Sequence, residues 1–383
     1  MSQRVHKKRL KCVIRFVSSL LTHKNGISLT EIGNNLSSNT SLKHKIKAAD
    51  YFVGNEGLAK DIPNMFKGFA DFFFGQHTNL IINVDWSGAC TPGFHILQAS
   101  VTAHGRSVAI YNEVHSEQDA QTEEVHNAFL DNLKETAPPS ARVTIVTDAG
   151  FHRNWFSKVS SLGWDYIGRV YSRYYYRPLG QTQWSSLADI SFDIQGKASS
   201  IGKVELGKTE QSLTGFMYTY KEKISNKAHK KNKYPYHEKR HSDSYRDGWV
   251  LISSLDKPAS QLISTYKKRM QIEQNFRDVK SEVYGTGLRR HKSKGLIRTT
   301  MLHFLVTIIN IILWWIGLAA EDKKISHRFQ SNTTKNKRVV SFVSLARMVL
   351  CHEPSAICWF DLKKVIDDFC TQYLSFIQHG VFN

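Results

Sequence analysis

The chain has 383 residues, 41% of them hydrophobic, with 52 Lys or Arg against 33 Asp or Glu and a formal net charge of +19. That length and apolar content exclude a disordered basic tail and allow two or three domains around a sizeable core. The charge excess points to a polyanionic partner, nucleic acid first and an anionic membrane surface second, while five scattered cysteines exclude a disulfide framework and fit a reducing compartment.

The first seventy residues read as helical and basic. Ser28, followed three positions later by Glu31, is a capping pair that starts a helix over 28–36. A polar turn over 37–40 leads to a second amphipathic run from Leu42 to Val53, which carries Lys43, Lys45 and Lys47. Helix, short turn and basic helix is the layout of a helix-turn-helix DNA reader, although an ordinary helical hairpin has the same pattern. The N-terminus shows no apolar stretch with a small-residue cleavage site, so no signal peptide is expected.

From residue 79 the texture changes. Leu80 to Asp85 reads as a buried strand ending in an aspartate, followed by strands over Phe94–Ala103 and Ser107–Val114 with a turn at 104–106. A polar amphipathic helix over 117–136 stops at Pro138-Pro139, and Arg142 to Asp148 is a second apolar strand ending in aspartate. A helix over 152–162 and a strand over 164–170 complete an α/β layout with a mixed sheet. Residues 171–254 break the rhythm with short β-like runs at Ser191–Ile194, Lys203–Leu206 and Phe216–Tyr220. Between them and a strand over 248–253 lies a basic loop, Lys227 to Arg240, studded with Tyr234 and Tyr236. Such interleaving suits backbone contact and base stacking; a solvated loop has the same composition.

A helix is expected over 258–285. Tyr266, Arg269, Glu273 and Lys280 stand at offsets 0, 3, 7 and 14, which on a continuous helix fall at about 0°, 300°, 340° and 320°. They would share one stripe, beside an apolar stripe of Ile272, Phe276, Val279 and Val283 that docks on a core. Residues 301–320 are long and apolar enough to span a bilayer, but His303, Thr307, Asn310 and the Trp314-Trp315 pair suit a helix buried on all sides. We expect the buried helix and no membrane. Residues 338–383 read as further helices. Cys351, His352 and Cys358 lack the second ligand pair of a zinc site.

The chemistry rests on three acids. Asp85 and Asp148 each end an apolar strand, and Glu273 sits on a later helix. Aspartates also cap helices, so one alone means little. Three hard, acceptor-only carboxylates brought to one sheet edge suit Mg²⁺ or Mn²⁺, and two such ions can activate an attacking oxygen and stabilise the leaving oxygen of a phosphodiester.

The pattern Tyr-x2-Arg-x3-Glu-x6-Lys resembles the signature of the insertion-sequence-four family of bacterial DDE transposases. Val84-Asp85-Trp86-Ser87, His104-Gly105-Arg106-Ser107-Val108, Thr147-Asp148-Ala149-Gly150-Phe151, Lys268 to Glu273 and Ser28 to Gly33 are similar to segments of insertion-sequence-ten-type members. The likeness runs from about residue 8 to the C-terminus, and the family's end-binding, subunit-pairing N-terminal region begins earlier than Met1 does here. The resemblance implies an α/β fold with a ribonuclease-H-like core interrupted by a β-rich insertion and flanked by N-terminal and C-terminal helical regions. The corresponding boundaries are 1–70 for end binding, 71–170 and 255–320 for the core, 171–254 for the insertion and 321–383 for the C-terminal helices. It also implies Asp85, Asp148 and Glu273 as ligands for Mg²⁺ or Mn²⁺, two ions in all. Tyr266, Arg269 and Lys280 would grip end phosphates, and Trp249 would stack on a flipped base, unless it is a core tryptophan. The implied partners are double-stranded DNA, as inverted-repeat ends and target, and a second copy of the chain in a synaptic dimer. The implied setting is the bacterial cytoplasm at the nucleoid.

Overall fold

The fold was analysed in a computed structural model. It describes the chain apart from residues 1–4, 23–25, 76, 104–105, 193, 209–211, 224–247, 284, 332, 335–337 and 380–383, and along 371–379 it describes the backbone alone. The basic loop over Lys227–Arg240 and the centre of the 104–106 turn therefore lie outside the described residues.

The N-terminal region is helical, as its apolar spacing predicts. Helix α1 (Lys7–Leu20) buries Val13, Phe16, Val17 and Leu20, one face at i, i+3, i+4 and i+7. The Ser28 hydroxyl accepts from the Glu31 N–H at 3.2 Å and so opens α2 (Leu29–Asn35). Helix α3 follows over Leu42–Val53. Phe16 stacks on Phe52 at 3.9 Å between ring centres, and a Cβ on Gly33 would come within 2.8 Å of the Ile46 backbone, so only glycine lets α2 approach α3 this closely. Two further helices, α4 (Glu56–Ala59) and α5 (Ile62–Phe74), complete the region.

The strands are β1 (Asn79–Gly88), β2 (Phe94–Thr102), β3 (Ser107–Ser116), β4 (Arg142–Thr147), β5 (Asp165–Arg169), β6 (Tyr175–Pro178), β7 (Ser185–Ser186), β8 (Ala198–Leu206), β9 (Leu213–Tyr220) and β10 (Trp249–Ser253). They form a mixed sheet in the order β3-β2-β1-β4-β5-β10-β9-β8-β6-β7. Strands β1, β4 and β5 pair in parallel, whereas β10 and the 175–220 strands pair antiparallel. The insertion thus extends the sheet instead of forming one of its own. Two expectations need correction here. No strand forms at Ser191, Phe192 or Ile194, a run cut by Asp193 and followed by Gly196. The helix placed at 117–136 is the shorter α6, Glu123–Thr136, because Thr122 caps it at Val125 N. Helix α7 spans Arg153–Ser161.

The chain divides into two compact units. The first comprises Met1–Thr78, Asp85–Ala141 and Gln271–Asn383; the second comprises Asn79–Val84 and Arg142–Met270. Strand β1 contributes to both.

The single helix expected over 258–285 is two helices, α8 (Ala259–Lys267) and α9 (Met270–Lys280). Neither proline nor glycine separates them. Lys268 N–H bonds to Thr265 O at 3.2 Å and Arg269 N–H to Tyr266 O at 2.9 Å; these i−3 bonds tighten the last turn and end the ladder. Each half docks on its own core. Leu262, Ile263 and Tyr266 pack with Val146, Ile167, Tyr218, Tyr220 and Leu251. Ile272 and Phe276 pack with Ala89, Ile96 and Val114. Val279 is buried as expected, but Val283 lies beyond the end of α9 and is 77% exposed.

The long apolar segment is α10 (Leu296–Asp322), whose most apolar window is 89% buried within the protein. Among its polar residues, Thr307 accepts from the Asn112 amide at 3.2 Å. Helix α11 (Phe342–His352) crosses it so closely at Gly317 that a Cβ there would lie 2.1 Å from the Phe342 carbonyl oxygen. Helix α12 (Trp359–His379) places Phe369 edge-on to Trp315 at 5.0 Å.

Candidate active site

Within the second unit, β1 and β4 run parallel with register pairs from Asn79↔Arg142 to Val84↔Thr147. That register stops at the residues immediately before Asp85 and Asp148. Val84 and Thr147, the last pair in that register, are both buried, so each aspartate follows directly on the buried end of its strand.

The first unit holds Asp85, Glu273 and Lys280. Asp85 is 9% exposed, and its Oδ1 accepts the N–H of Trp86 at 2.9 Å. Trp86 donates its indole N–H to His126 Nε2 at 3.0 Å. The Lys280 ammonium donates to the Ser87 hydroxyl at 2.6 Å. Burial lowers the Lys280 pKa, Arg289 adds to the fall, and Cys90 and Asp85 oppose it. Arg289 also hydrogen-bonds the Cys90 thiol.

Glu273 is exposed on α9. The helix beneath it is fixed by polar residues as well as by Ile272 and Phe276. Gln271 Oε1 accepts from Ala103 N–H at 3.1 Å, Asn275 bonds both Gln98 and the Ser107 carbonyl at 3.1 Å, and Asp278 pairs with Arg106 at 2.6 Å. Offsets 0, 4 and 7 put these three side chains on one face, and that face is clamped to the β2–β3 hairpin. At the C-terminal end of α9, Thr286 satisfies the Asp278 and Val279 carbonyls, which would otherwise be orphaned.

The second unit holds Asp148, Trp249, Tyr266 and Arg269. Asp148 Oδ1 accepts from Gly150 N–H at 2.8 Å. Trp249 meets Tyr266 edge-on at 5.3 Å and Tyr220 at 5.4 Å. Burial raises the Tyr266 pKa, with Arg269 and Arg169 opposing and Asp148 adding to the rise; Arg269 also hydrogen-bonds the phenol. Arg269 is itself 8% exposed, and burial lowers its neighbour Lys268 to about 8. The four signature residues do not lie on one continuous helix: Tyr266 and Arg269 precede or occupy the break, and Glu273 and Lys280 follow it. Lys43 and Lys47 are exposed on α3 and Lys45 is half-buried, with the Lys47 ammonium 5.5 Å over the Tyr51 ring.

Residues 82–311, more than half of the chain, match the transposase DDE domain family. This chain is a DDE transposase. Among curated proteins none matches it. The transposase acts on DNA, as its family implies and its charge suits, and transposases of this kind use divalent metal ions. The expected ligands, Asp85, Asp148 and Glu273, have the chemistry such ions take, because carboxylates are hard oxygen donors. Among the described residues, however, no three His, Cys, Asp or Glu side chains are grouped so as to hold a metal. Sequence reading missed Ser87, Arg289 and the Gln271–Asn275–Asp278 face. Polar residues at i, i+4 and i+7 beside an apolar stripe were the available signal for that face; nothing local pointed to Ser87 or Arg289.

Proposed function

We propose that this transposase excises its element by a cut-and-paste route and joins it to target DNA, in the manner of the insertion-sequence-four group and its insertion-sequence-ten-type members. Asp85, Asp148 and Glu273 form the acidic triad, and they would hold Mg²⁺ or Mn²⁺, two ions supplying charge stabilisation at the reacting phosphate. The observation that carries this reading is the β1–β4 register, which ends one residue before each aspartate. A ribonuclease-H-like core accounts for such an arrangement of parallel strands, with residues 171–254 as its insertion.

The proposed reaction is a series of in-line displacements at phosphorus. Water attacks a phosphodiester at the element's end and the strand's 3′-oxygen leaves. The freed 3′-hydroxyl attacks the opposite strand, which closes a hairpin and releases the flanking DNA. Water reopens the hairpin, and the restored 3′-hydroxyl attacks target DNA, displacing a target 3′-oxygen. Lys280 and Arg269 bind phosphate oxygens, the latter suited to bidentate contact, and Trp249 stacks on a flipped base at the hairpin turn. Residues 1–70 read the element's inverted repeat, with Lys43, Lys45 and Lys47 against the backbone. Two copies act in a synaptic complex on bacterial nucleoid DNA.

A gel assay on a labelled element end tests this. Hairpin and strand-transfer products that vanish in Glu273→Gln are the expected result. Nicks alone, with neither hairpin nor joined product, would identify a nuclease that cuts without joining.

A further inference from the structure

Ser87 stands two residues beyond Asp85 on β1, and side chains at i and i+2 of a strand share a face. Lys280 reaches that face from the last turn of α9 and closes a 2.6 Å bond to the Ser87 oxygen. The Lys280 ammonium also interacts electrostatically with Asp85.

We infer that Ser87 is a positioning residue that holds the Lys280 ammonium beside Asp85, poised for a DNA phosphate oxygen. This rests on the proposed phosphate role of Lys280 and deepens it. A lysine side chain has four rotatable bonds and high rotamer entropy, so an untethered ammonium would sample many places. Lysine only donates, so the serine must accept. The bond therefore uses one of the three ammonium protons, leaves two for a ligand, and turns the serine's own proton elsewhere. A half-buried serine at the end of a strand is short enough to do this without filling the space a phosphate needs. The Arg289 charge repels the same ammonium, so the serine bond acts against a push.

The test is a double-mutant cycle on the full chain bound to an element-end duplex. First-strand cleavage in Ser87→Ala should fall about tenfold, the size of one lost hydrogen bond to a charged group, with thermal stability essentially unchanged. Ser87→Thr, which keeps the hydroxyl, should restore most of the rate. In a Lys280→Ala background, Ser87→Ala should add no further loss. An equal loss in both backgrounds, or no rescue by threonine, would overturn the positioning role. The salt dependence of end binding separates this from its premise. If Lys280→Ala leaves that slope unchanged, the phosphate role of Lys280 falls and the inference falls with it. If the slope drops while the cycle shows no coupling, only the Ser87 role falls.

Discussion

The Trp249 indole lies edge-on to the Tyr266 ring, 5.3 Å away at 65°. The contact makes Tyr266 part of the core on which the indole rests, with the tyrosine packed among Val146, Tyr218 and Leu251. Of the two aromatics, Trp249 is the partly exposed one, which suits the base-stacking role proposed for it. Trp249→Ala should spare first-strand nicking and impair hairpin formation. Tyr266→Ala should instead cost about 3–5 kcal/mol of stability, as truncating a buried aromatic does, and Tyr266→Phe about 1 kcal/mol for the lost hydrogen bond. Thermal melts beside the gel assay distinguish the two residues. A Tyr266→Ala protein that melts normally but fails to bind DNA ends would restore Tyr266 as a direct contact.

Glu273 contrasts with Tyr266. It is exposed on a helix anchored by other residues, so Glu273→Ala should change stability by no more than about 0.5 kcal/mol. Cleavage should be abolished and end binding kept. Comparable loss of both, measured by gel shift and product analysis, would remove it from the proposed triad.

How far the sequence announced this arrangement depends on which contacts are local. Capping at Ser28, the strand runs of β2 and β3 either side of the 104–106 turn, and the apolar runs of β1 and β4 are set within a few residues, and their elements appear where expected. The break at Lys268–Arg269 was invisible because no proline or glycine marks it. It comes from two halves of one amphipathic run that dock on different cores, a tertiary effect that overrides local propensity. The angles deduced for Tyr266, Arg269, Glu273 and Lys280 assumed one unbroken helix, and the segment is two. The Ser87–Lys280 bond joins residues 193 positions apart, a distance over which spacing carries no information.

The Asp278–Arg106 pair, 2.6 Å apart, fixes the α9 helix that carries Glu273. The Asp278 side chain is only 7% exposed, and burial raises its pKa although Arg106 opposes the rise. Removing one member of a buried pair strands the other charge, at about 3–5 kcal/mol. Asp278→Ala should therefore lower the melting temperature and loosen the α9 helix that presents Glu273. Cleavage should fall further than end binding, because the clamp acts on α9 and the N-terminal helices lie elsewhere in the sequence. Unchanged melting would show that the β2–β3 hairpin is held by Gln271 and Asn275 alone.

His303 gives the protein an acid limit. It is buried in α10, and its Nε2–H donates to the Ala89 carbonyl at 2.7 Å, four residues past Asp85. Burial lowers its pKa to about 4; the Ala89 bond opposes this, and the charges of His291 and Lys280 add to it. The folded pKa is thus depressed below the unfolded value of 6.5. Above about pH 6.5 neither state binds the proton and the contribution is constant. As pH falls from there to about 4, the unfolded chain takes the proton first, and stability falls by about 3 kcal/mol. His303→Gln keeps a donor for Ala89 and removes the titration. Chemical denaturation across pH 4–7 should show a shallower acid limb in this variant than in the parent chain. An identical limb would assign the acid sensitivity to two further buried histidines, His77 and His291, whose pKa values burial also lowers.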